Sequence, residues 1–312
     1  MVLKKEFAEY LAIREKMQMP APWEMSMEEY RFRTLPIRDF IGKPEPIFSV
    51  ENRIISGPNG YLPIRIYRPS AEPNLPVMLY FHGGGWVIGN MDGFEPTVCS
   101  LANKGNFVVI QVQYQKAPEH PFPGPFNDCY AALEWVVKNA DQLNIDATRI
   151  GVGGDSAGGN LAAAVAIKCR DTNLVELAFQ MLVYPCTGND GTLPSAIRNA
   201  EGYGLTSKVM RWFEFQYIAS DADLRNPYTF PAYCKDLSGL APTVLVTAEY
   251  DPLADDGKLY AEALQAAGVP VIFKEFEGAI HGFNALAGVA PEIAQEAQLY
   301  LAQSINSFLA RN

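Results

Sequence analysis

From Pro76 onward, short continuous apolar runs alternate with longer stretches in which apolar side chains recur every three or four positions. "PVMLYF" at 76–81 and "FVVIQVQY" at 107–114 predict strands buried on both faces. "RIGVGG", "AFQMLVYP", "PTVLVTAEYD" and "VPVIFKEFEG" read as four more. Between them, "NDCYAALEWVVKNA" predicts a helix capped by Asn127 or Asp128. "AGGNLAAAVAIKCR", "GKLYAEALQAAG" and "PEIAQEAQLYLAQSINSFLA" predict three further helices. Strand and helix alternating at this rhythm imply an α/β fold with a mainly parallel sheet covered on both faces.

Two regions fall outside the rhythm. Near the N-terminus, Leu3, Phe7, Tyr10 and Leu11 recur at helical spacing among charged residues, which predicts an amphipathic helix. Proline-rich text runs from Pro20 to Pro46, and "SVENRIISGPNGYLPIRIYRPS" predicts a β-hairpin around a Pro-Asn-Gly turn. The second region lies between Pro185 and Pro242. It holds the loop text "TGNDGTLPSA" and an aromatic helix, "SKVMRWFEFQYIA", and reads as an insertion over the sheet.

Composition narrows the function classes without changing this picture. A chain of 312 residues suffices for one large α/β domain or two small ones. The formal charge of −10, with no Lys/Arg cluster, argues against a nucleic-acid partner. Cys99, Cys129, Cys169, Cys186 and Cys234 are odd in number and scattered, so reduced thiols are expected. The first residues carry no signal-peptide apolar block, and no stretch is long enough to span a bilayer. A cytoplasmic protein without membrane contact is the expectation.

Candidate chemistry centres on "GVGGDSAGGN". Gly154-Asp155-Ser156-Ala157-Gly158 fits G-x-S-x-G between a predicted strand and a small-residue helix, the setting of a nucleophile elbow. A sharp strand-to-helix turn would lift the serine hydroxyl clear of the sheet and aim helix N–H groups at the same spot. The text "YFHGGGWVIG" then finds a use. Glycines cost backbone entropy, and three in a row are expected where the main chain must approach an oxyanion closely. One N–H would come from Ala157 and others from the loop His82-Gly83-Gly84-Gly85.

Three histidines compete for the role of base. His82 is placed to brace the glycine loop and His120, among prolines, to be structural. His281, in "EGAIHGF", follows the last predicted strand on a Gly-flanked loop, where a base at the carboxyl edge of the sheet belongs. No combination of the three suggests a metal site. The acid partner is sought among Glu249, Asp251, Asp255 and Asp256. Glu249 falls in or beside a strand, and Asp255 and Asp256 suit the start of the next helix. Asp251, ahead of Pro252 at the strand tip, is selected. The order Ser156, Asp251, His281 is that of α/β hydrolases.

With these residues in hand, the chain resembles the hormone-sensitive-lipase-like family of α/β-hydrolase esterases, in the branch marked by "GDSAGG". The matching text is "YFHGGGWVIG", "APEHPFPGPFNDCYAALEWV", "GVGGDSAGGNLAA", "VLVTAEYDPLADDG" and "IHGF", within roughly residues 76 to 285. The resemblance implies a single α/β-hydrolase domain over residues 1–312, with cap elements at about 1–45 and about 186–225. It implies hydrolysis of small carboxylic esters without a cofactor, with Gly84 and Gly85 as oxyanion donors beside Ala157; a homodimer is compatible with it. Two departures stand out. The family commonly reads Tyr-Arg-Leu before "APEHPFP", where this chain has Tyr114-Gln115-Lys116, and "NPYTFPAYCKDLSGL" lacks the usual Ser-Pro text. Trp86, next to the oxyanion glycines, is expected in the substrate pocket. Together with Trp212, Phe213, Phe215 and Tyr217 of the insertion, it suggests a preference for short to medium acyl chains. Two other readings share this fold: a non-catalytic small-molecule receptor, and an amidase or peptidase using the same triad.

Overall fold

The computed structural model describes residues 2–35, 38–188 and 190–310. Helix α1 (Lys5–Lys16) buries Phe7 and is followed by α2 (Met27–Arg33). The hairpin forms as expected, with β1 (Ser49–Gly57) paired to β2 (Gly60–Arg68) and Gly57 opposite Gly60. Then come β3 (Leu75–Phe81), α3 (Met91–Gly105), β4 (Val108–Val112), α4 (Gly124–Lys138), β5 (Ile145–Asp155) and α5 (Ala157–Thr172). The chain continues through β6 (Phe179–Val183), α6 (Ser207–Tyr217), β7 (Thr243–Tyr250), α7 (Ala254–Ala266), β8 (Val271–Ile280) and α8 (Pro291–Leu309).

These strands form one eight-stranded sheet in the order β1-β2-β4-β3-β5-β6-β7-β8, antiparallel at β1/β2/β4 and parallel from β4 to β8. The apolar run of β3 is continuous because both its faces are covered. Val77, Leu79 and Phe81 enter one core, which α4 and α5 share, while Met78 and Tyr80 enter the other, under α3 and α8.

This strand order positions the site. After β3 the chain steps outward to β4, then returns to place β5 on the opposite side of β3. Carboxyl ends of strands at such a reversal frame the ligand crevice of open α/β sheets. Here Phe81 is in register with Gly154, so the segments leaving β3 and β5 start side by side. Those segments are the glycine loop and Ser156.

One helix start differs from expectation. Helix α4 begins at Gly124, a turn before Asn127, so neither Asn127 nor Asp128 caps it. The buried Asp128 carboxylate instead accepts the Gln115 N–H at 2.8 Å, tying α4 to the loop after β4. Helix α7 begins at Ala254 and holds Asp255 and Asp256 in its first turn. The N-terminal segment and the 186–225 segment meet, with the Tyr30 ring 5.3 Å from Trp212 and 6.3 Å from Phe213. Among the described residues no helix is long and apolar enough to cross a membrane.

Candidate active site

Ser156 is the single residue between β5 and α5, at φ 55° and ψ −119°. A positive φ on a residue with a Cβ is held only where the surroundings enforce it. The Ser156 N–H donates to Val183 O of β6 at 2.8 Å, and its carbonyl accepts the Asn160 N–H at 3.0 Å. A Cβ at Gly158 would overlap the Phe81 carbonyl. The last glycine of G-x-S-x-G is therefore required by the close approach of α5 to the end of β3.

Ser156 Oγ lies 2.9 Å from His281 Nε2, and His281 Nδ1 lies 2.6 Å from Asp251 Oδ2. Asp251 is fully buried, and its second oxygen accepts the Leu253 N–H at 2.9 Å. Asn199 Nδ2 donates to the Asp251 carbonyl at 3.0 Å and steadies the strand tip. A carboxylate can only accept, so it draws the imidazole proton to Nδ1 and leaves Nε2 free to accept from the serine hydroxyl. The other candidate acids are engaged elsewhere. Glu249 accepts the Gly278 N–H (2.8 Å), Asp255 the Ser195 N–H (2.7 Å), and Asp256 the N–H groups of Thr187 (2.6 Å) and Gly188 (3.1 Å).

The remaining histidines separate cleanly. His82 is buried, stacks on Tyr114 at 4.4 Å, and places Nδ1 2.7 Å from Gly83 O. Burial, reinforced by the nearby Lys116 charge, lowers its pKa to about 3, so it stays neutral and braces the loop. His120 is exposed, and its backbone N–H donates to Lys116 O at 2.9 Å.

In the glycine loop Gly84 and Gly85 adopt φ 119° and 58°. The Gly84 carbonyl accepts from Val87 and Ile88 at 3.1 and 2.9 Å, while neither glycine's own N–H is taken by a protein acceptor among the described residues. Ala157 opens α5, where N–H groups have no intrahelical partner. Three unused amides thus belong to segments that leave the sheet beside Ser156.

Sequence reasoning overlooked the residue that links these two segments. Asp155, the variable position of the G-x-S-x-G text, is buried, and its Oδ1 accepts the Gly83 N–H (2.9 Å) and the Tyr80 hydroxyl (2.7 Å). Burial pushes its pKa up to about 6, against the pull of those two donors. The signal was present in "GDSAGG", but only the fold shows which groups that carboxylate reaches. Arg31 of α2 was overlooked too. It donates to Val87 O (3.0 Å) and Ala117 O (2.8 Å) and pairs with Glu119, fastening the N-terminal segment to the glycine loop.

Trp86 departs from expectation. Its indole is fully buried, stacked on Tyr217 at 4.3 Å and donating to Asn160 Oδ1 at 3.3 Å. With no surface open to a ligand, Trp86 supports the loop from behind and does not line a pocket. Among the insertion aromatics, Phe213 packs against Gly85, whose Cβ would strike its ring, whereas Phe215 points into solvent, 79% exposed.

Residues 78–285 match a family model described as the alpha/beta hydrolase fold. The chain is 41% identical over 261 residues to Esterase LipI of Mycobacterium tuberculosis, covering 82% of this chain and 81% of that protein. It is 42% identical over 257 residues to Carboxylesterase NlhH of the same species, covering 80% of each. A solved ester hydrolase from the metagenome of Lake Arreo, complexed with a derivative of bipyridine phosphonate, superposes with a TM-score of 0.93 at 35% identity, covering 99% of this chain and 100% of that one. The strand order, the serine turn and these matches agree: the chain belongs to the α/β-hydrolase fold family, in its hormone-sensitive-lipase-like branch.

Proposed function

We propose that the protein is a serine carboxylesterase acting on small-molecule esters through an acyl-enzyme on Ser156. The observation that carries the reading is the hydrogen-bonded series Ser156–His281–Asp251, set beside unused amides. Relatives named esterase and carboxylesterase, at 41% and 42% identity, support it.

In this scheme Ser156 Oγ bonds to the acyl carbon as His281 Nε2 takes its proton. Asp251 stabilises the imidazolium that results. The carbonyl oxygen becomes an oxyanion held by the N–H groups of Gly84, Gly85 and Ala157. Collapse expels the alkoxide, which takes the proton back from His281. Water then repeats the sequence on the acyl group, releasing the acid and restoring the serine. No cofactor enters.

The segments at about 1–45 and about 186–225 serve as the cap. Phe213 and the stacked Trp86–Tyr217 pair stiffen its contact with the glycine loop. A cleft roofed this way limits acyl length, because the gain of about 0.8 kcal/mol per buried methylene stops at the wall. Short to medium acyl chains are therefore preferred, in a cytoplasmic setting and as a homodimer. Sedimentation and cell fractionation test the last two points.

Turnover of p-nitrophenyl esters of increasing chain length, with matched anilides, tests the activity. Specificity should peak at or below about eight carbons, with anilides far slower. Ser156→Ala should remove turnover and leave the thermal midpoint nearly unchanged. Near-native hydrolysis by the folded variant would reject Ser156 as nucleophile, and rising kcat/KM out to palmitoyl esters would reject the chain-length assignment.

A further inference from the structure

A cavity of about 550 Å3 opens between α2 and the segment 113–120. None of Ser156, Asp251 and His281 lines it, although Ile88 and Gly89, just beyond the glycine loop, do. Its polar lining consists largely of donors. Lys116 is half-buried, and its ammonium forms no ion pair or hydrogen bond among the described residues; it lies 5.9 Å from the Tyr114 ring, and Glu119 acts on it only through its charge. Taking an ammonium out of water without a partner is costly. The neighbouring cation, Arg31, is already satisfied by Glu119 at 2.8 and 2.6 Å, which also occupies the cavity's one carboxylate.

Three carboxamides complete the lining, and each has its oxygen occupied. Asn90 Oδ1 accepts the Gly93 N–H (2.9 Å), Gln113 Oε1 the Met91 N–H (3.0 Å), and Gln115 Oε1 the Asn59 amide (3.3 Å). Backbone N–H groups can only donate, so the Asn90 and Gln113 orientations are unambiguous. Each of the three keeps its NH2 group free to donate among the described residues, beside one remaining lone pair on its oxygen. Leu35 and Ile88 add apolar surface. A cation without a hydrogen-bonded counter-ion, beside three NH2 donors, is complementary to a planar anion.

We propose that this cavity binds small organic carboxylates, with Lys116 as counter-charge and the amide groups of Asn90, Gln113 and Gln115 as donors. Two sources supply that chemistry: a free acid, or the free carboxylate of an acidic half-ester. The binding claim does not need the ester-hydrolase reading, because it is measured at equilibrium.

Calorimetric titration with benzoate, and with benzamide as the neutral isostere, tests it. Benzoate should bind the parent protein at least ten times more tightly than benzamide. Lys116→Leu and Lys116→Gln should abolish that preference, and Lys116→Arg should keep it, each variant first shown to unfold cooperatively. Arg31, Tyr114, Glu119 and His120 are the other charged or titratable groups on the cavity wall. Burial and the Arg31 charge lower the Lys116 pKa to about 8, against the opposing pull of the Glu119 charge. Benzoate affinity of the parent should therefore fall between about pH 7 and 9.5, where the ligand stays ionised, and should not fall in Lys116→Arg. Equal binding of benzoate and benzamide, binding of neither, or an unchanged preference in Lys116→Leu would overturn the proposal. Monoethyl and diethyl succinate then identify the source. A half-ester preference lost in Lys116→Leu through KM assigns the carboxylate to the substrate. An unchanged ratio, alongside lost benzoate binding, assigns it to a free acid.

Discussion

Glu214, on α6, faces a small cavity that Arg211, Met210, Leu253 and Asp256 also line. Burial raises its pKa from 4.5 to about 7, Arg211 opposes the rise, and the nearby Asp256 adds to it. In the unfolded chain this carboxyl ionises near 4.5; in the folded protein it holds its proton to about 7. Stability is therefore full below about pH 4.5 and is lost as pH rises through the folded value. At about 1.4 kcal/mol per pH unit, that interval corresponds to about 3 kcal/mol, and partial contact with water reduces it to about 1–3 kcal/mol. Glu214→Gln keeps the shape and cannot ionise. Urea unfolding of both proteins from pH 4.5 to 8 should give equal stabilities at the acid end, with the variant ahead by about 1–3 kcal/mol at pH 8. Asp155, raised to about 6, imposes the same pH dependence on both proteins and cancels in the difference, which reports Glu214 together with its coupling to Asp256, itself raised to about 6. Parallel curves, or a variant less stable than the parent at pH 8, would refute the claim that α6 holds a desolvated carboxylate.

Three further outcomes follow from the site. Asp251→Asn should lower kcat by about 10³–10⁴, the scale seen when a protease triad aspartate is replaced, whereas Asp255→Asn should keep its activity and lose about 1 kcal/mol with the Ser195 hydrogen bond; the opposite pattern would reverse the two roles. Gly84→Val should depress kcat by about 10²–10³ with KM little changed, because one oxyanion donor is displaced; circular dichroism checks the fold, and an effect confined to KM would make the loop a substrate clamp. Asp155→Ala orphans the Gly83 N–H and the Tyr80 hydroxyl, which should cost about 2–5 kcal/mol in thermal unfolding. A loss below about 1 kcal/mol would mean that those bonds do not hold the loop.

The alternation of elements, and with it a mainly parallel sheet, was legible in the order of residues alone. A buried parallel strand must be apolar on both faces, and β3 and β4 carry that requirement visibly. Ser156 and the glycine triplet were legible for a related reason. A turn that permits no Cβ, as at Gly158 against Phe81, leaves a local mark in the text. His281 and Asp251 could be selected because a triad needs residues at strand tips, and strand ends can be read from where apolar runs stop.

Which side chains face one another emerged with the fold, since that depends on strand order and helix packing, neither of which is local. Trp86 reads as a pocket residue beside the oxyanion glycines, yet its positive φ of 60° and the Tyr217 ring behind it turn the indole into the core. Asp155 reads as a spacer, yet the register of β3 against β5 sets its carboxylate on the Gly83 N–H. Asp128 reads as a helix cap, yet α4 starts a turn earlier and hands it to Gln115. Each residue type was compatible with several partners. Packing a chain in which Ser156 and His281 stand 125 positions apart left one.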